Sequence, residues 1–161
     1  MRIVNVDPQG YIALSLLREA ARDVRPLYAA SSAADAPSPT NLPLGPRDVY
    51  VAAMLNDLPV ACGSIREMDP STGEVPRMYV HRDHRRKGFG RAILLHLMSE
   101  ARRLGYYRLQ LETGNEQLPA MAFYERFGFR RVAPFGEYVK DPTSVCYELY
   151  LVEANGAMPA A

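Results

Sequence analysis

The sequence has few cysteines, almost no net charge and no long apolar run. Cys62 and Cys146 stand far apart with no Cys-x-x-Cys pair, which points to free thiols in a reducing compartment. Cys146 also lacks a neighbouring histidine signature, so a cysteine nucleophile is not expected. A formal net charge of +1 speaks against a general nucleic-acid binder. No segment is long enough to span a bilayer, and Met1 to Gln9 has no signal-like apolar core, so a cytoplasmic protein without a membrane partner is expected. The pair His81-x-x-His84 beside Asp83 lacks helical spacing and a third ligand, so no metal is expected either. There is no internal repeat.

What remains is a chain of 161 residues, 48% hydrophobic, long enough to bury a substantial core as one domain. Its most informative stretch is Arg77 to Arg91, RMYVHRDHRRKGFGR. Met78, Tyr79 and Val80 suit a strand. Gly88 and Gly90 allow a sharp turn that leaves backbone N–H groups uncovered. From Phe89 onward, apolar residues Ile93, Leu97, Ala101 and Leu104 recur at helical spacing. A helix N-terminus with free N–H groups and cationic neighbours favours a polyanion, so this segment is read as a phosphate site. A dinucleotide loop would require a third glycine where Ile93 stands, even though Glu112 lies at a suitable distance for a ribose contact. A nucleoside-triphosphate loop would require Gly-Lys-Ser/Thr after the turn, and none follows.

Arg85-x-x-Gly88-x-Gly90 resembles the pyrophosphate-binding signature of the GNAT acyl-coenzyme A transferases. A second signature follows in order: Leu109-Gln110-Leu111-Glu112-Thr113-Gly114, then Ala120-x-x-x-Tyr124-x-x-x-Gly128-Phe129. The resemblance extends from about Val49 to Leu151. It implies an α/β (α+β) GNAT fold: a mixed, mainly antiparallel sheet flanked by helices, with coenzyme A in the wedge between two diverging central strands. The single domain is expected over residues 1–152, followed by a frayed tail at 153–161.

Read in order, Arg2 to Asp7 alternates as a first strand. Ile12, Leu16, Ala20, Val24 and Leu27 then share one face of a helix. Ala29 to Arg47 carries Pro37, Pro39, Pro43 and Pro46 and is read as a loop, either mobile or lidding the acceptor site. Val49 to Leu55 and Val60 to Arg66 form a strand pair, and Asp69 to Gly73 is a turn. Glu74 to Val80 is read as one strand, with Pro76 marking an unpaired position or bulge. The helix from Phe89 stops at Gly105; Tyr106 to Thr113 is a strand; Pro119 opens a helix that Gly128 ends. Phe129 to Ala133 and Ser144 to Val152 close the sheet, joined by a loop over Pro134 to Thr143.

Transfer of an acyl group from a thioester to an amine needs a held donor, a polarised carbonyl, a deprotonated nucleophile and a proton for the thiolate. Backbone N–H groups from Arg86 to Arg91, including Lys87, Gly88, Phe89 and Gly90, would cradle the pyrophosphate of acetyl-coenzyme A. Arg85, Arg86 and Lys87 would add charge. The resemblance implies that the main chain at Met78, Tyr79 and Val80 polarises the acyl carbonyl. An acceptor amine like that of lysine has a pKa of about 10.4 and must lose a proton. Glu74, eleven residues before Arg85, is similar in position to the glutamate base of histone-type GNAT enzymes, with Glu67 and Glu112 as rivals. Tyr124 is the expected general acid at the coenzyme's sulfur; a core tyrosine is the competing assignment. Gln117 takes the place of an asparagine that contacts pantetheine in many of these enzymes. The expected partner is an amine on a small molecule, peptide or protein, with a homodimer compatible with the fold. The alternatives are a non-catalytic acyl-coenzyme A-binding module and, more distantly, an RNA-binding domain using the basic run.

Overall fold

The computed structural model describes residues 1–28 and 40–151. The expectations for residues 29–39, and for the tail with the last residue of the closing strand, lie outside the described residues. Eight strands form one sheet in the order β1-β2-β3-β4-β6-β8-β7, with β5 also paired to β3. They are β1 (Arg2–Asn5), β2 (Val49–Leu55), β3 (Leu58–Asp69), β4 (Thr72–Glu74), β5 (Met78–Val80), β6 (Arg108–Gly114), β7 (Arg130–Val132) and β8 (Ser144–Tyr150). All pairings are antiparallel except that of β4 with β6. The helices are α1 (Tyr11–Val24), α2 (Phe89–Arg103) and α3 (Leu118–Phe127). This is the mixed, mainly antiparallel sheet flanked by helices that the sequence leads one to expect.

Alternation along β2 explains the layering. Val49, Val51 and Ala53 enter one core cluster, whereas Tyr50, Ala52 and Met54 enter another on the opposite face. The larger cluster contains α2 through Ile93, Leu94, Leu97 and Ala101, and Tyr124 of α3 packs into it. The smaller lies beneath α1, which contributes Ala13 and Leu16. Each fully buried aliphatic side chain of this kind stabilises by about 1.5–3 kcal/mol. The face of α1 that is buried is centred on Ala13, Leu16 and Leu17, and Leu27 is exposed in a following 3-10 turn (Arg25–Tyr28). The expected stripe is thus correct at Leu16 and out of phase at Leu27, because the helix has ended before that residue.

The β2–β3 hairpin is tighter than the expected 56–59 connection. Leu55 pairs directly with Leu58, and both turn residues, Asn56 (φ 49°) and Asp57 (φ 65°), are left-handed, as a two-residue turn between twisted strands requires. The next turn is also shorter than expected, since Thr72 and Gly73 already belong to β4. The strand expected over residues 74–80 is interrupted. β4 ends at Glu74, β5 starts at Met78, and Pro76 sits in the gap. Both segments pair with the continuous β3, but only β4 pairs with β6. The sheet therefore opens into a wedge beyond the Glu74–Gln110 register position.

Helices α2 and α3 end alike. The N–H of Tyr106 reaches Ala101 O at 3.0 Å and that of Gly105 reaches Arg102 O at 3.0 Å, with Gly105 at φ 84°. The N–H of Phe129 reaches Tyr124 O at 3.0 Å and that of Gly128 reaches Glu125 O at 3.2 Å, with Gly128 at φ 108°. Both are Schellman closures, in which a left-handed glycine satisfies the last helical carbonyls.

Gly63 marks the tightest approach of helix to sheet: a Cβ there would stand 2.5 Å from Ile93 Cγ2 and 2.8 Å from Leu97 Cδ1. Gly63→Ala is expected to destabilise the protein by about 1–3 kcal/mol through overpacking, read as a lower urea midpoint with an unchanged slope. An unchanged midpoint would show that α2 can move off the sheet at little cost.

Candidate active site

The basic turn follows β5 through a 3-10 turn, Arg82–His84, into α2. Gly88, at φ 88°, precedes the helix, and the first helical bond runs from Ala92 N–H to Gly88 O at 3.0 Å. The N–H groups of Phe89, Gly90 and Arg91 therefore have no intrahelical acceptor. A Cβ at Gly88 would meet nothing within 4 Å, so the turn is open on that side. Arg86, at φ 62°, and Lys87 are exposed, and Lys87 Nζ is 3.4 Å from Asp83 O.

Arg85 is differently placed from its neighbours. Its Nη2 donates to Asp23 Oδ2 at 2.7 Å and its Nε to Val80 O at 3.0 Å. Asp23 also accepts from the Tyr79 hydroxyl at 2.9 Å. Arg85 therefore staples the turn to α1, and its charge is already matched by Asp23 rather than left for a ligand. The Tyr79 side chain likewise faces α1, and burial, with Asp23 next, pushes its phenol pKa up.

The register of β5 fixes its backbone directions. His81 N–H bonds Val60 O at 2.8 Å and Ser64 N–H bonds Arg77 O at 3.0 Å, with Tyr79 opposite Cys62 between them. Tyr79 is thus turned to β3, and the N–H groups of Met78 and Val80 point into the wedge. The Met78 and Val80 side chains pack against the large core.

On α3, Tyr124 is 6% exposed and packs with Phe129, ring centroids 5.6 Å apart, and Tyr147, 6.1 Å. Burial alone raises its phenol pKa, so it stays protonated at neutral pH. Its hydroxyl makes no hydrogen bond to a described residue, yet it is not among the fully sealed unpartnered atoms, which are Ser64 Oγ and His84 Nδ1. The ring belongs to the large core cluster. Gln117 precedes α3, and its Nε2 would lie 3.2 Å from a Cβ at Gly114. The same bare glycine admits Tyr28, whose hydroxyl accepts from Glu116 N–H at 3.1 Å.

The candidate bases separate by environment. Glu74 lines a cavity of about 270 Å³ at the apex of the wedge, and its Oε2 accepts from the Tyr138 hydroxyl at 2.9 Å. Burial first, then the Glu74 charge, pushes the Tyr138 phenol up, so it remains a donor. Glu112 accepts from Ser144 Oγ at 2.6 Å and is pushed up chiefly by burial, opposed by that hydrogen bond. Glu67 pairs with Arg47 at 2.9 Å and is not part of the cavity wall. Asp23, Tyr28 and Tyr138 carried no sequence signal, because their partners lie 62, 88 and 64 residues away. Among the described residues no group of His, Cys, Asp and Glu could hold a metal ion, and no helix is long and apolar enough to cross a membrane.

A split sheet with outward N–H groups leads into a glycine-opened helix N-terminus. Residues 13–129 match the acetyltransferase (GNAT) family, and the chain belongs to it. The general chemistry of that family is acyl transfer from an acyl-coenzyme A. The chain is 40% identical over 103 residues to an uncharacterized N-acetyltransferase, YsnE, of Bacillus subtilis, covering 63% of this chain and 68% of that one. It is 37% identical over 100 residues to an IAA acetyltransferase of Azospirillum brasilense, covering 62% and 65%. A crystal structure from Klebsiella pneumoniae, assigned as an acyl-CoA N-acyltransferase, superposes with a TM-score of 0.74 at 30% identity, covering 93% of this chain and 97% of that one. A GNAT acetyltransferase of Elizabethkingia anophelis with acetyl-CoA bound shares the fold at 18% identity, with a TM-score of 0.65, covering 93% and 97%.

Because the folded Glu112 carboxyl lies above its ordinary range, its contribution to stability is present at low pH and lost as pH rises through that raised value. Glu112→Gln is therefore expected to raise the melting temperature at pH 7, with the gain vanishing below about pH 4, where unfolded carboxyls are protonated too. A gain that persists at pH 3 would mean that charge is not its origin.

Proposed function

We propose that this protein, as one domain over residues 1–152, transfers an acetyl group from acetyl-coenzyme A to an amine by direct attack in a ternary complex. The observation that supports this reading is the wedge between β5 and β6, with the outward N–H groups of Met78 and Val80 on one side and the glycine-opened turn before α2 following β5. The N–H groups of Phe89 to Arg91, with Arg86 and Lys87, hold the pyrophosphate. The N–H groups of Met78 and Val80 polarise the carbonyl and meet the negative charge that develops on its oxygen. Glu74 accepts the proton of the acceptor ammonium, directly or through water, and Tyr138 holds its carboxylate in place. The amine nitrogen bonds to the carbonyl carbon, the carbon–sulfur bond breaks, and Tyr124 gives its proton to the departing thiolate.

A ternary mechanism also suits the cysteines. Burial pushes the Cys62 thiol up to about 11 and raises that of Cys146, so neither is a ready thiolate for a covalent acyl-enzyme. The reading places the protein in the cytoplasm, consistent with two free thiols.

Two variants test the assignment. Tyr124→Phe is expected to lower kcat by about a hundred-fold or more while leaving acetyl-coenzyme A affinity within about two-fold, in line with loss of a general acid. Unchanged turnover would remove Tyr124 from that role. Gly88→Glu places a carboxylate in the open turn and is expected to abolish acetyl-coenzyme A binding by isothermal titration, with folding checked by circular dichroism. Wild-type affinity in the folded variant would refute the cradle.

A further inference from the structure

The cavity at the wedge apex is bipolar, and from it we infer that the acceptor is a small amine that also carries a carboxylate, an α-amino acid or a short homologue. This rests on the acetyl-transfer reading and names the acceptor class for the same site.

Ser64, Arg66 and Glu74 line the cavity on one face of the sheet, with Arg77 at the interruption between β4 and β5. Arg66 and Glu74 are direct cross-strand partners, which sets their Cβ atoms about 4.5–5.5 Å apart. They do not pair with each other: Glu74 turns to Tyr138, and the exposed Arg66 side chain makes no hydrogen bond or ion pair with a described residue. Arg77 is half-buried and donates to Asn41 Oδ1 at 3.1 Å, Pro76 O at 3.1 Å and Thr40 O at 3.0 Å. None of these acceptors is charged, and two of its five N–H donors remain. Asp48, whose carboxylate accepts from the Gly45 and Glu67 N–H groups, and the exposed Glu137 also line the cavity, but neither forms an ion pair with Arg66 or Arg77, so two guanidinium groups without an ion pair sit beside a Glu74 carboxylate held in place by a phenol. Arg77 is partly withdrawn from water without an ion pair, and an incoming carboxylate would supply one; Arg66, still in water, adds a free fork of donors.

Ser64 stands in the same wall, 4% exposed, and its Oγ is sealed from the cavity without a hydrogen-bond partner. A cavity of about 270 Å³ falls just below the usual range for drug-sized ligands and suits a molecule of amino-acid size. The amine takes the Glu74 end, next to the wedge, and the carboxylate takes the Arg66–Arg77 end. The separation of the two charges is set by one cross-strand pair, which is why a short bifunctional molecule fits and a long diamine does not.

The test is a panel of the protein amino acids, their carboxamides, the matching decarboxylated amines and O-phosphoethanolamine, assayed for coenzyme A release. At least one amino acid is expected to exceed its carboxamide by roughly ten-fold in kcat/KM, as a charge-assisted hydrogen bond would give. Arg66→Gln, which breaks no side-chain hydrogen bond or ion pair among the described residues, is expected to raise KM for that acid by roughly ten-fold with kcat and the acetyl-coenzyme A KM within two-fold, and to leave the carboxamide unaffected. Arg77→Gln, with its fold checked by circular dichroism, is expected to do the same. Equal or better use of carboxamides, decarboxylated amines or O-phosphoethanolamine would overturn the inference. So would acetyl-coenzyme A binding with no amino acid bound or acetylated. Failure to bind acetyl-coenzyme A would instead refute the transfer reading. Titration of the amino acids alone then decides the present proposal: binding lost in Arg66→Gln upholds it, and no binding overturns it.

Discussion

The site depends on one interruption in one strand. Pro76 has no N–H to give a ladder, and it stands between β4 and β5 where continuous pairing would otherwise keep the sheet closed. The unbroken twelve-residue β3 holds both pieces, so the interruption costs little cohesion: Ser64 N–H still reaches Arg77 O and Val75 N–H crosses to Gln110 O at 2.8 Å. What changes is direction. β4 continues beside β6 and β5 leaves it, so the outward N–H groups of Met78 and Val80 face a gap instead of a neighbour. In a sheet these donors would be consumed by the ladder; here they are available because the backbone that would pair with them has been steered away.

The two faces of the sheet are treated unequally, and this decides where chemistry can occur. One face is sealed by α2 and α3 over Ile93, Leu97, Leu109 and Leu111, all essentially inaccessible. The other is covered by α1 only over Ala52, Met54 and Cys62. Beyond α1 the same face carries polar groups. Some are satisfied within the fold: Glu148, 7% exposed, is held by Arg130 at 2.9 Å and Arg108 at 3.4 Å. Others, around Ser64 and Glu74, border the cavity. A third helix there would have buried those groups without partners at a cost of about 1–3 kcal/mol each, and residues 40–47 form no helix.

Much of this was legible because it is local. Glycines past Leu104 and Phe127 announced two helix ends, and both proved to be left-handed closures. Pro76 announced a defect in its strand, and the apolar period from Phe89 to Ala101 matched the buried face of α2. The rest was not legible because it is made by contacts across the chain. Nothing near Arg85 shows that Asp23 of α1 will neutralise it, and nothing near Glu74 shows that Tyr138 will orient it. The phase of α1 was misjudged at its end for a related reason: a stripe carried on to Leu27 assumes a helix that in fact tightens after Val24. Charges are especially deceptive in this respect. A run of basic residues reads as one patch, yet folding divides it into a staple, Arg85, and exposed cations, Arg86 and Lys87.

The second sequence signature has a mechanical explanation that joins fold to chemistry. Tyr124, Gly128 and Phe129 are the three positions of the α3 closure that touch each other: the Phe129 N–H bonds the Tyr124 carbonyl while the two rings meet edge to face. Gly128 allows the chain to reverse so that this contact can form. The backbone and ring of Tyr124 are therefore fixed by the way its helix ends, and its hydroxyl has no hydrogen-bond partner among the described residues. The general-acid role proposed for it would draw on this fixing, since a proton donor that had to be ordered during the reaction would add its entropy to the barrier. The spacing of tyrosine, glycine and phenylalanine is thus a constraint of helix closure before it is one of chemistry.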